Sequence, residues 1–419
     1  MNFEPYIPRR FMFVFGTFFI SLFMYIDRAC ISAAKDPITG DLGLTDNQMG
    51  WVLSAFALGY ALFQVPGGIL SDRFGPRKVL AGIIGLWSIF TAFTGLAKSY
   101  ITMLVVRFFF GAGEAGAFPG ISRAVYSWIP MKERGLVQGI NFSGSRVGAA
   151  LAMPLVAGLI TAIGWRHTFL ALGIVGVIFG ILWYLLFRNK PEELSGISEK
   201  EKEYILTGRQ QKEDKTDSAL TAAKLFGSGN MWFAMLQYFG SNFTFFFALT
   251  WLLPHLKKTY DLDLMQAGIY AAAPFIAGAL GNWFSGLLVD AIYRRNKWKL
   301  SRKVPAIIGF TLMIAGLLGS ISMHSPMGAV LMLSLAIFGA DMTLSPSWSF
   351  CIDIGKENSG SVSGTMNMAG NIGSFLTALA FPYLMSWTGN ATAFFYVAAV
   401  LGFLSILAWL KMNPEKSLN

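Results

Sequence analysis

Charge is what this sequence has least of. Only 13% of its 419 residues are Asp, Glu, Lys or Arg, roughly half the share of an ordinary soluble chain, which argues against a water-soluble domain. Histidine is nearly absent. His167, His255 and His324 fall near the ends of apolar runs and lack ligand spacing, so a histidine metal site is excluded. The two cysteines, Cys30 and Cys351, show neither metal nor redox spacing and read as small packing residues. No phosphate-binding loop of the Walker type is present, so ATP is not the energy source. Nothing resembles the nucleophile constellation of an enzyme or the soluble output domain of a sensor.

What fills the chain instead is apolar. Hydrophobic residues make up 54%, with 37 Phe and 45 Gly. They come in runs of roughly 20 residues, the length that crosses a hydrocarbon core. A backbone in that medium must satisfy its own hydrogen bonds, so helices are expected. The runs predict spans at 11–34, 48–70, 79–97, 101–123, 136–160, 164–187, 231–254, 267–289, 303–322, 327–350, 360–385 and 391–411. The fold class is therefore an all-α membrane protein of twelve transmembrane helices in two pseudo-symmetric six-helix bundles. The bundles are expected at 1–187 and 231–419, with 188–230 as a polar linker that holds a short amphipathic helix.

The net charge of +10 does not signal nucleic acid, because the basic residues sit in loops between apolar helices and form no stripe. Their distribution sets topology. With the N-terminus inside, the outer loops hold only Lys35, Lys98, Arg166, Lys257 and Lys258, and the remaining loop Lys and Arg are inside. Both termini are expected in the cytoplasm, with short loops that fit a bacterial inner membrane. The expected partners are the lipid bilayer, a small organic anion and protons, with no cofactor and no metal, and the chain acting as a monomer.

The halves repeat. "GGILSDRFGPRK" at 67–78 follows the second span, and "SGLLVDAIYRRNK" at 285–297 follows the eighth. In each, a glycine precedes an aspartate by four residues (Gly68 and Asp72; Gly286 and Asp290) and basic residues follow. Two such matches at equivalent positions point to parallel six-helix repeats. Their gating reading pairs Asp72 with Arg73, Arg77 or a basic residue of the other half, and Asp290 with Arg294. Such pairs, present in one access state only, bias an equilibrium. The plainer reading is that these basic residues only fix orientation.

Several segments carry a resemblance to the anion:cation symporter branch of the major facilitator superfamily, which includes galactonate, glucarate and hexuronate permeases. They are "YIDRACIS" at 25–32, "YALFQVPGGILSDRFG" at 60–75, "RFFFGAGEAGAFPG" at 107–120, "SPSW" at 345–348 and "GTMNMAGN" at 364–371. Met24 replaces the Asn expected before Tyr25, and Ser145 and Arg146 stand where Gln and an aromatic are usual; Asp341 is also uncommon. The resemblance implies a secondary transporter that imports a sugar acid with protons by alternating access. The alternative within the fold is an exchanger of organic anions or phosphates; a drug exporter would lack the paired arginines.

Ionisable residues inside a membrane are functional candidates by default. Here they are Asp27, Arg28, Arg107, Glu114, Arg146 and Asp341. Arg107 and Glu114, seven apart, share a helix face. Asp27 and Arg107 fall at similar depth and are expected to pair. A buried carboxylate can switch protonation with its surroundings, whereas an arginine fork stays charged and holds a carboxylate bidentately. Asp27 and Glu114 are thus assigned to proton coupling, Arg28 to the substrate carboxylate and Arg107 to tuning the acids; the resemblance implies the same roles. The competing view is a static set of ion pairs that locks helices. Tyr25, Tyr60, Ser145, Arg146, Ser345, Ser347, Trp348 and Asn367 complete the candidate substrate contacts, because their family counterparts line the cavity. Taken singly, each is as ordinary as a helix–helix hydrogen bond.

Overall fold

The computed structural model describes residues 8–210, 221–262 and 264–418. Every expected span coincides with helix. The first part of the chain forms α1 (Arg9–Ala33), the short α2 (Lys35–Leu42), α3 (Asp46–Phe74), α4 (Pro76–Leu96), α5 (Tyr100–Glu114), α6 (Ala117–Trp128) and α7 (Arg134–Leu186). Two short helices follow, α8 (Glu199–Gly208) and α9 (Ala222–Gly227). The rest of the chain forms α10 (Gly229–Thr250), α11 (Leu252–Tyr260), α12 (Leu264–Tyr293), α13 (Trp298–Ile321), α14 (Pro326–Met342), α15 (Leu344–Gly355), α16 (Ser359–Thr388) and α17 (Thr392–Lys411). Among the described residues, nine helical stretches are long and apolar enough to cross a membrane.

Local chemistry sets the boundaries. Thr45 opens α3 with a reciprocal cap, its hydroxyl accepting from the Gln48 N–H while the Gln48 amide accepts from the Thr45 N–H. Ser99 and Thr102 do the same for α5. Gly75, at φ 82°, turns α3 into α4, and Pro76 fits the first position of α4 because its missing N–H has no partner there anyway. The fifth and sixth expected spans are one continuous helical run, α7, that turns at Gly164 with φ 77°, a left-handed conformation glycine adopts at little cost. The fourth and tenth spans are each broken in two, after Glu114 and after Met342.

The helices sort into two compact units. The first comprises Met1–Met131, Val147–Ala219 and Lys356–Gly364; the second comprises Lys132–Arg146, Leu220–Gly355 and Thr365–Asn419. Each unit therefore takes a short segment from the far part of the sequence.

In the first unit, α3 and α5 touch backbone to backbone. A Cβ at Gly59 would collide with the Phe108 carbonyl, and one at Gly111 with the Phe56 carbonyl. Small residues permit this approach where no hydrophobic effect drives helices together. Large apolar side chains such as Leu58, Leu62, Ile174 and Leu186 face outward, while Thr17, Ser21, Gln64 and Thr91 are buried. That inversion of the soluble pattern suits a lipid surround.

Candidate functional site

Asp27 and Arg28 are neighbours on α1, and consecutive helix positions diverge by about 100°. They consequently serve different helices. Arg28 reaches α5, where its Nε lies 3.0 Å from both Glu114 Oε1 and Oε2. Glu114 is fully buried at the C-terminal end of α5. The Arg28 guanidinium also lies over the rings of Tyr60 (4.3 Å), Tyr25 (4.9 Å) and Phe56 (5.3 Å). Such stacking suits a planar cation away from water. Arg28 Nη2 is buried without a hydrogen-bond partner.

Asp27 faces α4 instead. Its Oδ2 accepts from Trp87 Nε1 at 3.1 Å and from Thr91 Oγ1 at 3.5 Å, and its Oδ1 has no partner. The expected Asp27–Arg107 ion pair is not formed. Arg107 lies over Phe110 (4.4 Å) and Phe56 (5.3 Å), with its Nε unpartnered. Arg107 and Arg28 thus share one aromatic ring, at equal distance from its centre. The first unit sets Arg28, Arg107 and Tyr60 against Phe56, with Tyr25 and Glu114 on Arg28. Sequence reasoning missed Trp87 and Thr91, although their spacing of four in "LWSIFTAF" placed two polar groups on one face of an apolar helix.

The second unit holds the other candidates. Arg146 and Asp341, singled out separately, form one bidentate pair, Nη2 to Oδ1 at 2.6 Å and Nε to Oδ2 at 2.9 Å. Arg146 also stacks on Phe245 at 3.9 Å. Ser145 and Ser345 donate to the carbonyls of Phe142 and Gly135, and Ser347 to that of Thr343. Trp348 donates to the Tyr238 hydroxyl at 2.9 Å. Asn367 is buried and accepts from Asn371.

The repeated aspartates do not pair as expected. Asp72 accepts from the N–H groups of Gly360 (2.9 Å) and Ser361 (2.7 Å), the start of α16, with Arg123 at 3.8 Å. Arg73 lies over Phe74, and Arg77 donates to the Tyr184 carbonyl. Asp290 likewise accepts from the N–H groups of Gly135 (2.8 Å) and Leu136 (2.9 Å), the start of α7, rather than from the Arg294 side chain. The physical reason is that the first N–H groups of a helix lack intrahelical partners and carry partial positive charge. A repeat overlooked in the sequence explains the match: "KERG" at 132–135 and "KENSG" at 356–360 place Gly135 and Gly360 equivalently. The glycines matter sterically, because a Cβ on Gly68 would strike the Gly360 carbonyl and one on Gly286 would come within 2.7 Å of the Gly135 carbonyl. A third carboxylate repeats the device: Glu201 of α8 accepts from the N–H groups of Arg9 and Arg10, both at 3.0 Å, at the start of α1.

One buried cluster was read only as topology-setting loop charge. Asp353 accepts from Arg134 (2.8 Å), Arg302 (2.7 Å) and Trp298 (2.9 Å), and both arginine side chains are wholly buried. Asp353 lies beyond the span expected at 327–350, which is why it escaped notice.

The model of the major facilitator superfamily matches residues 17–378 of this chain. The chain belongs to the major facilitator superfamily. This facilitator is 34% identical over 398 residues to a probable sulfoacetate transporter of Cupriavidus necator, covering 93% of this chain and 90% of that protein. It is 31% identical over 387 residues to a probable L-galactonate transporter of Escherichia coli, covering 92% and 84%. Its fold resembles that of the proton:xylose symporter XylE bound to 6-bromo-6-deoxy-D-glucose, with a TM-score of 0.74, 17% identity and coverage of 98% and 97%. The chain is therefore a multi-pass, all-α membrane transporter and not an enzyme.

Proposed function

We propose that this facilitator imports a small organic anion of the sugar-acid class together with protons, by alternating access, across a bacterial inner membrane with both termini in the cytoplasm. The observation that carries the reading is the Arg28–Glu114 pair beside Asp27 and Arg107, four ionisable groups on α1 and α5 of which three are buried and Arg28 is partly buried. Four charges are an expensive way to pack two helices. Glu114 occupies the Nε edge of Arg28, and Nη2 is unpartnered. Protonation of Glu114 would weaken its hold and release the guanidinium for a substrate carboxylate, which a planar fork binds bidentately. In this scheme Glu114 and Asp27 carry protons, Arg28 anchors the substrate between Tyr25 and Tyr60, and Arg107 stabilises the ionised acids. Substrate and proton then bind cooperatively through one arginine.

The cargo named for the relatives supports an anion: sulfoacetate and L-galactonate both bear a carboxylate. Gating is assigned to Asp72 and Asp290 through the helix starts they cap, with Arg73, Arg77 and Arg294 supplying local positive charge. The test is uptake of labelled hexonates, hexuronates, aldarates and sulfoacetate into proteoliposomes under an imposed inward proton gradient. Uptake that a protonophore abolishes supports the proposal. Uptake that needs only a preloaded internal anion makes the protein an exchanger and removes the proton roles.

A further inference from the structure

The Asp27 carboxyl is held asymmetrically. Both of its donors come from α4, from positions four apart on one helix face, and both address Oδ2. Oδ1 is buried and has no partner. Trp87 is itself fully buried, so its indole N–H has no access to water. An indole nitrogen only donates, and leaving a buried donor unsatisfied is costly. The indole is therefore committed to Oδ2 in a way that a hydroxyl is not. Thr91 has a second acceptor in the Trp87 carbonyl at 3.0 Å and can turn to it.

We infer that Trp87, assisted by Thr91, is the positioning residue for the Asp27 carboxyl, pinning Oδ2 so that Oδ1 is the atom that takes and releases the proton. The inference rests on the proposed role of Asp27 in proton coupling. The step is simple: a hydronium ion gives its proton to Oδ1, so one hydronium O–H bond breaks as the carboxyl O–H bond forms, leaving neutral water and a neutral carboxyl group. Protonation at Oδ2 would instead set an O–H against the indole N–H and lose that bond. The charged or titratable groups facing Asp27 are Glu114 and Arg107 of α5 and Cys30 of its own helix. None of them is altered by a change at Trp87, so an effect of that change on Asp27 is attributable to the lost donor. A merely structural Trp87, wedging α1 against α4, would leave the titration of Asp27 unmoved.

The test follows the carboxyl directly, on the full chain reconstituted in lipid. Infrared difference spectra against pH show the C=O stretch of protonated Asp27, identified by its loss in Asp27→Asn. In Trp87→Phe that stretch should move to higher frequency, because the carbonyl oxygen loses its donor, and its midpoint should move alkaline by about one pH unit. Thr91→Val should produce a smaller change of the same sign. An unchanged band and midpoint in Trp87→Phe overturn the inference. A second measurement avoids reliance on that variant folding: in nitrogen-15-labelled wild-type protein, one indole N–H resonance should shift with the Asp27 midpoint and stop shifting in Asp27→Asn. Absence of such a resonance, or of any titrating Asp27 band, also overturns it. Failure of the proton-coupling reading is seen separately, as full proton-driven uptake by Asp27→Asn while the indole still tracks the carboxyl.

Discussion

Arg28 spans two helices with one nitrogen, its Nε sitting 3.0 Å from each oxygen of Glu114. Arg28→Ala is expected to weaken substrate binding about 10- to 100-fold, the worth of a charge-assisted hydrogen-bonded anchor. Arg28→Lys should recover only part of this, because an ammonium cannot present a planar fork. Binding to detergent-purified protein measures both. Wild-type affinity in Arg28→Ala would move the anchor elsewhere.

Glu114→Gln removes the switchable charge and keeps the shape. The expected outcome is loss of proton-driven uptake with counterflow persisting, since Arg28 is then permanently released. Proton-driven uptake at the wild-type rate would show that Glu114 carries no proton.

The Arg146–Asp341 pair makes a prediction about stability. Each partner is almost wholly buried. Asp341→Leu or Arg146→Met alone leaves an uncompensated buried charge and should cost about 3–5 kcal/mol. The double substitution should cost much less than the sum, a coupling that a double-mutant cycle of melting or denaturant unfolding reads. Additive losses would mean that the two side chains act independently.

Asp72 and Asp290 cap helices rather than pair with Arg73 or Arg294. Replacing either by Ala should cost about 0.5–2 kcal/mol, the range for a lost cap, whereas Arg73→Ala and Arg294→Ala should cost little. Thermal shifts of the four variants separate the two groups. Equal losses in all four would restore the arginine pairing.

His255 predicts a pH dependence. It packs against Phe247, Phe381 and Phe395, and burial pushes its imidazole down to about 4. The unfolded imidazole protonates near 6.5. Below that value the unfolded state binds the extra proton, so stability falls as pH drops and levels off below about 4. The apparent melting temperature should decline between pH 7 and 5, and His255→Phe should flatten the slope. Identical slopes would leave the imidazole without influence.

Much of this was legible in the sequence. Apolar runs located the helices, and the boundary between 160 and 164 anticipated the turn at Gly164. The rarity of charge singled out Asp27, Arg28, Arg107 and Glu114. Partners were not legible. Depth placed Asp27 level with Arg107, but depth does not give azimuth, and one position of rotation sent Asp27 to Trp87. Arg146 and Asp341, 195 residues apart, carried no local sign of their union. Asp72 was given a basic partner because charge suggests charge, whereas its short hydrogen bonds come from the Ser361 hydroxyl and from two backbone amides, which carry no charge to suggest them.

That last point bears on how the protein tolerates change. Glu201, Asp290 and Asp72 grip the first turns of α1, α7 and α16 through main-chain N–H groups. An amide is the same whichever side chain it carries, so Arg9 and Leu136 can vary without erasing the grip, whereas Ser361 and Arg10 each add a side-chain donor to the acid, the Ser361 hydroxyl at 2.5 Å from Asp72 and the Arg10 guanidinium at 3.5 Å from Glu201. Only proline, which has no N–H, is barred outright. Gly135 and Gly360 are constrained by room alone. Mutational fragility in these three clasps is thus concentrated on the acid, and the helix it holds is nearly free to drift.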